Sequence, residues 1–276
     1  MGRAAFARVA GLGLAAALVA ACSGSPSPVE PPPVLLRSAE LRLPIDDYLL
    51  SPVDLRQLAA ARVVLVRQCM NAAGLDLPPP AESRETGPRT WNERRYGITD
   101  PDLAAVDGFG LGDRDPAAQQ PKPAPKPDAA QRAALDGPGG CVARADRDQR
   151  RDSPPGADRD LPRRLSAESF DRSGREPTVR AAVSAWSECM RANGLNYDDP
   201  LAPLADARFA GAPTEAEITA ATADVECKRR TNLVGVWFTA ESAIQRDLTS
   251  ANREALQRVR QANEAELRVS RQVAHP

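Results

Sequence analysis

Histidine is almost missing from this 276-residue chain: the single copy, His275, stands next to the C-terminus. That sets aside Ser-His-Asp and Cys-His catalysis and every metal site built on histidine. There is no Cys-x-x-Cys pair, so a metal or redox reading of the cysteines lacks its usual second ligand. Nor is there a phosphate-cradling loop, since Gly108-x-Gly110-x-Gly112 is not followed by Gly-Lys. Paired acids do occur, at Asp113-x-Asp115 and Asp198-Asp199, but in Pro-rich loops where carboxylates are ordinarily solvated. A carboxylate-based hydrolase using two distant acids is the enzymatic reading that survives. The expectation is a non-enzyme with no catalytic residue, no cofactor and no metal. Basic excess is lacking too: 36 Lys and Arg stand against 37 acids. Nucleic acid is therefore not an expected partner. Aromatics make up only 4% and prolines number 26. So the core is modest and much of the chain is connector.

What is present begins with the first residues. Met1 to Arg8 carries Arg3 and Arg8 and no acid, and an apolar run from Val9 to Ala21 follows. Thirteen residues fall short of the roughly 20 that span a bilayer as a helix. The pattern is that of a secretory signal peptide. It ends Leu18-Val19-Ala20-Ala21-Cys22, which resembles the bacterial lipobox, so cleavage before Cys22 and lipidation of Cys22 are expected. Phe6 stands where N-myristoylation needs Ser or Thr, which removes that alternative. Residues 1–21 read as signal peptide and 22–50 as a lipidated flexible tether, rich in Ser and Pro. No later segment is apolar enough to cross a membrane, so the lipid on Cys22 is the expected membrane anchor. The implied location is the extracytoplasmic face of the cell membrane.

A weak repeat organises the rest. Cys69-Met70-Asn71-Ala72-Ala73-Gly74-Leu75 matches Cys189-Met190-Arg191-Ala192-Asn193-Gly194-Leu195 at five of seven positions. Each copy closes a helical pattern. The first starts at Ser51 as N-cap, with Pro52 in the first turn, and offers Leu55, Leu58, Ala59, Val63, Val66, Cys69, Met70 and Ala73 as a buried stripe. The second runs from about Pro177 through Val179, Ala182, Val183, Trp186, Cys189 and Met190. Gly74 and Gly194 fall at left-handed C′ positions, with Leu75 and Leu195 at C″ opposite Met70 and Met190, as in a Schellman cap. After Cys22 four cysteines remain, an even number in an exported chain, so two disulfides are expected. Three connectivities are open, and the duplication favours Cys69–Cys141 with Cys189–Cys227.

The fold expected is mostly α: two disulfide-stapled helical units, 51–151 and 177–276, with a Pro-rich irregular middle and a long C-terminal helix. Residues 152–176 read as linker. Pro121 to Pro127 alternates Pro with Lys and Ala as a polyproline-like connector. From Thr214, with Glu217 completing a capping box, a helical pattern runs toward Val273 without a proline. Some 60 residues at 1.5 Å each would extend about 90 Å, so the run either protrudes or breaks. Asp247 and Glu266 interrupt its apolar seam. If the second disulfide sets its helices antiparallel, Gly235 comes close to Ala181 and Ala182. The candidate binding surface is Trp91, Arg94, Arg95 and Tyr96, an aromatic pair around two guanidinium groups suited to an anionic wall polymer or a partner protein. The same residues also suit a loop pinned to its own helices by Trp91 and Tyr96.

Several of these segments together resemble a family of actinobacterial lipoproteins of uncharacterised function. They are the Cys-Met-x-x-x-Gly helix ends at 69–74 and 189–194, and Glu93-Arg94-Arg95-Tyr96-Gly97 with Thr99-Asp100-Pro101. Gly139-Gly140-Cys141 and Ala223-Asp224-Val225-Glu226-Cys227-Lys228 through Val234 complete the set. The resemblance implies a lipid-anchored, disulfide-bonded, mostly helical exported protein and brings no enzymatic residue. The expected role is a non-catalytic binding or scaffold component of the cell envelope, its partner a cell-wall polymer or an envelope protein. The alternative is an accessory subunit of an envelope transporter that docks through the C-terminal helix.

Overall fold

A computed structural model describes Met1, Gly2 and residues 31–78, 85–116 and 125–274. The signal peptide, Cys22 and most of the Pro-Lys connector lie outside the described residues. The chain is mostly α-helical, with no strand among the described residues beyond an isolated bridge between Arg95 and Gly97. The helices are α1 (Pro52–Ala72), α2 (Pro101–Asp107), α3 (Ala129–Asp136), α4 (Cys141–Gln149) and α5 (Leu161–Gly174). Then come α6 (Pro177–Ala192), α7 (Glu215–Thr231), α8 (Leu233–Ala251) and the 22-residue C-terminal α9 (Arg253–Ala274).

The local signals act as their chemistry requires. Ser51 Oγ accepts from the Asp54 amide at 3.1 Å, and the Asp54 carboxylate accepts from the Ser51 amide at 2.9 Å. At the other end of α1, Gly74 has φ +75° and Leu75 N–H donates to the Met70 carbonyl at 3.0 Å. At the end of α6, Gly194 has φ +76° and Leu195 repeats the bond to Met190 at 3.0 Å. Both repeats are Schellman caps. Each cap sets a cysteine at the last turn, and the bridges are Cys69–Cys141 and Cys189–Cys227. They close 72 and 38 residues of sequence, which corresponds to about 4 kcal/mol each in the chain-entropy account.

Residues Pro32–Pro276 form one unit, within which the two stapled helix pairs are joined. α9 packs on α1, and α8 packs on α5, α6 and α7. The largest apolar cluster gathers Tyr96, Val179, Trp186, Met190, Leu233 and Trp237. A second joins Ile98, Ala104 and Phe109 to the α7 residues Ala220, Ala221 and Val225, and a third sets Ile45, Leu165 and Leu256 together.

One open sequence reading is decided and three change. First, the long helical run breaks twice: Asn232 adopts a left-handed conformation (φ 50°, ψ 33°) between α7 and α8, and Asn252 separates α8 from α9. Asn tolerates that region better than other residues with a side chain. Thr214 Oγ1 caps α7 by accepting from the Glu217 amide at 3.2 Å, but the Glu217 carboxylate turns away to accept from the Phe109 amide at 3.0 Å. Second, the 152–176 stretch contains α5, whose Ser169 and Ser173 are buried against α8. Third, the tether assigned to 22–50 is part of the body in its second half. Short 3-10 turns at Ser38–Glu40 and Pro44–Tyr48 bury Ser38, Leu43 and Ile45. Fourth, the α1 stripe is rotated. Leu58 and Met70 are buried as expected, but Ala61 replaces Ala59, and Val63 is exposed. The contacts of α4 and α9 select the Leu58–Ala61 side, where small Ala61 permits close approach.

Gly235 is buried, as a close-approach residue should be, yet the backbone it meets is not α6. A Cβ at Gly235 would overlap the Pro33 carbonyl oxygen and the Asn232 side-chain oxygen. Asn232 Nδ2 meanwhile donates to the Pro32 carbonyl at 2.8 Å. The break between α7 and α8 is thus the point at which the chain arriving from the N-terminus is clamped. Gly235→Ala is expected to lower stability by about 1–3 kcal/mol through overpacking. Limited proteolysis should then reveal new cleavage within residues 32–50, whereas an unchanged digestion pattern would contradict the clamp.

Candidate functional site

The apolar side of α8 carries Leu233, Val234, Trp237 and Ile244, and into the same side the sequence sets Glu241, which is 0% exposed. An ionised carboxylate in that position requires a cation and hydrogen-bond donors. Arg95 supplies the cation: its Nε lies 2.9 Å from both carboxylate oxygens and its Nη2 donates to Oε1. Tyr96 Oη donates at 2.9 Å, Ser169 Oγ at 2.9 Å and Gln245 Nε2 at 3.1 Å. The network extends further, because Arg95 Nη2 donates to the Ser166 carbonyl at 2.8 Å and Gln245 Oε1 accepts from the Ile45 amide at 3.0 Å. Four separate stretches (the Ile45 turn, the Arg95 loop, α5 and α8) therefore meet on one buried acid. Burial works against the Arg95 charge, but the hydrogen bonds and charge of Glu241 outweigh it and hold its pKa above the ordinary value. Burial first, and then the neighbouring Glu241 charge, push the Tyr96 phenol well up.

This arrangement redistributes the sequence-derived binding surface. Tyr96 is fully buried, and the Arg95 side chain is 13% exposed and paired. Arg94 turns inward to donate to the carbonyls of Phe109 (2.5 Å) and Gly110. An arginine beside buried carbonyls and an acid is held by them rather than offered to solvent. Trp91 alone of the four is exposed, at 40%, and its Nε1 donates to the Leu50 carbonyl at 2.8 Å. The four residues thus form a pinned loop with one exposed indole.

Beside that indole runs a surface groove in two parts. One cavity, of about 560 Å³, is bordered by Trp91, Phe170, Arg95, Ser166 and Asp171. The other, of about 380 Å³, lies between α1, α5 and α9 and is bordered by Leu55, Leu58, Arg62, Arg150, Arg159 and Glu266. Leu49 and Arg163 border both, so the two cavities are adjacent. Glu266, which interrupts the apolar seam of the sequence, is nearly buried and takes Arg150 Nε at 3.0 Å and Arg159 Nη1 at 2.8 Å. Arg62 Nε lies 2.5 Å from Asp146. Arg163 makes no ion pair among the described residues, and neither do Asp160 and Asp171. Glu241, Gln245 and Ser169 have no counterpart in the sequence reading, and of the groove it holds only Trp91 and Arg95 as binding residues. The available signal was an acid set among the apolar residues of the α8 pattern.

Other candidates place no chemistry here. Asp198 is fully exposed, 3.7 Å from Arg191, and Asp199 Oδ1 accepts from the Leu201 amide at 2.9 Å. Among the described residues no three His, Cys, Asp or Glu side chains are placed to hold a metal ion, and no helix is long and apolar enough to cross a membrane.

The loop that carries Trp91 is fixed by a second buried acid. Glu93 Oε1 accepts from Arg89 Nε at 3.0 Å and Arg114 Nη2 at 2.8 Å, and Oε2 accepts from Arg114 Nη1 at 2.9 Å. Burial alone would raise this carboxyl; the hydrogen bonds from Arg114 and the Arg89 amide, with both positive charges, hold it below its ordinary value. A carboxyl depressed in the folded state adds stability above its unfolded pKa and loses it as pH falls. Glu93→Gln is therefore expected to cost about 2 kcal/mol at pH 7. The gap between variant and parent should close as pH drops below about 4. Urea melts across that range check it; a gap independent of pH would contradict the ionised role.

No protein-family model matches the chain, and neither does any curated protein or solved structure.

Proposed function

We propose that the chain is a lipid-anchored extracytoplasmic protein of the cell envelope with a non-catalytic binding or scaffold role. The observation that carries the reading is the lipobox-like Leu18-Val19-Ala20-Ala21-Cys22 behind a short apolar run, in a chain whose four remaining cysteines are paired as two disulfides. Such bridges persist in oxidising compartments outside the cytoplasm. The resemblance to actinobacterial lipoproteins points the same way. Binding is favoured over catalysis because four of the five guanidinium groups that border the groove are held in ion pairs with acids.

The transporter-docking alternative finds less support. A docking helix needs an unoccupied apolar side, but Leu256, Val259, Ala262, Ala265 and Val269 of α9 are already buried within the body. Residues 245–274 thus belong to the body, and deleting them would remove one wall of the core. The anchor is tested by metabolic labelling with palmitate and membrane fractionation. The parent should incorporate label and sediment with membranes, and Cys22→Ala should lose the label altogether. Label that persists in Cys22→Ala would overturn the anchor.

A further inference from the structure

The groove itself carries a ligand class. Trp91 is the one exposed large hydrophobic residue on its border, and that indole is not a loose surface residue. The Nε1 bond to the Leu50 carbonyl fixes the ring while leaving 40% of the residue open to solvent. An indole held in place with its surface uncovered is a stacking platform already ordered for binding, so little rotamer freedom is lost when a ligand arrives. Phe170 borders the same cavity and is itself fixed, stacked on Trp237 at 5.0 Å with the Arg95 guanidinium 5.2 Å from its ring centre.

Charge decides what kind of ligand suits this platform. Five guanidinium groups border the groove, which at first sight suits a polyanion. Four of them are already answered: Arg95 by Glu241, Arg62 by Asp146, and Arg150 and Arg159 jointly by Glu266. Asp160 and Asp171, also on the border, offset Arg163 and the remaining surplus. Positive and negative groups therefore balance, five against five. A polyanion would gain little net attraction, and a purely apolar chain would leave these polar groups without partners. What remains suited is a ligand with apolar ring faces to stack and many uncharged donors and acceptors at its edges.

We propose that the groove binds a glycan of no net charge, one pyranose ring lying on Trp91 and the following rings passing Arg163 toward Arg62. Arg163 and Asp171 stand free to hydrogen-bond hydroxyl or acetamido groups, and two adjacent cavities that share Leu49 and Arg163 suit a ligand of several rings rather than one. Their volumes, about 380 and about 560 Å³, are within the range of small-ligand sites. The proposal deepens the binding role and rests on it.

The test is calorimetric titration of the full-length mature lipoprotein in neutral detergent with three probes: chitohexaose, oligogalacturonate of equal length, and inorganic polyphosphate. Chitohexaose should bind, with an affinity that changes less than about twofold between 50 and 500 mM salt, as expected for a contact without net charge. Trp91→Ala should weaken it at least tenfold and Arg163→Gln severalfold, with unchanged thermal melts. Oligogalacturonate should bind no more tightly than chitohexaose. No binding of chitohexaose, indifference to both substitutions, or tighter salt-sensitive binding of polyphosphate would overturn the glycan proposal. A photo-crosslinker at position 163 in intact cells separates the two levels. Capture of an envelope protein with no chitohexaose binding sinks the glycan and leaves the binding role standing. Neither capture nor binding removes both.

Discussion

One carboxylate that cannot reach water organises the body. Glu241 lies in the apolar side of α8, and its charge is affordable there only because Arg95 arrives from a loop 146 residues earlier in the chain. Removing either partner leaves the other charged and buried, a far larger loss than the net worth of the pair. The pair is not merely a fastener between two elements. Through Tyr96, Ser169 and Gln245, and on to the Ile45 amide, it sets the separation of the Arg95 loop, α5, α8 and the segment that arrives from the N-terminus.

The groove is a consequence of that separation. Arg95 and Ser166, joined by a hydrogen bond, border its larger cavity, and Trp91 stands four residues before Arg95 in the same pinned loop. The 3-10 turn at Pro44–Tyr48 leads directly into Leu49, which borders both cavities, and Leu50, whose carbonyl fixes the indole. Leu165 of α5, next to Ser166, packs with Ile45 and Leu256. The apolar core thus holds the back of α5 while the buried ion pair sets its front. A stretch that reads as tether and a stretch that reads as linker together furnish much of the proposed ligand site.

What was legible in the sequence was whatever is decided locally. The Schellman caps at Gly74 and Gly194 follow from a few residues each, and the cysteine pairing followed from the repetition of those caps. The apolar stripe of α6 was legible because its opposite side is polar. α1 was not, since Val53, Val63, Val64, Leu65 and Val66 spread apolar side chains around the helix, and only packing against α4 and α9 chooses the side. α5 was hidden by the prolines at 154–155 and by buried serines in place of a continuous apolar stripe. The Trp91–Tyr96 loop is conspicuous in composition, but the direction of its arginines depends on Glu241 and on the Phe109 and Gly110 carbonyls. No spacing rule relates Arg95 to an acid so distant along the chain.

The account depends most on the coupling between Arg95 and Glu241. It is measured by a double-mutant cycle of Arg95→Met and Glu241→Gln, with unfolding free energies from urea titration of both single variants, the double variant and the parent. The account predicts a coupling of about 2 kcal/mol or more, with each single substitution costing more than its share because it strands the buried partner. A coupling below about 0.5 kcal/mol would mean that the two groups act independently, and the ion pair would lose its place at the centre of this fold.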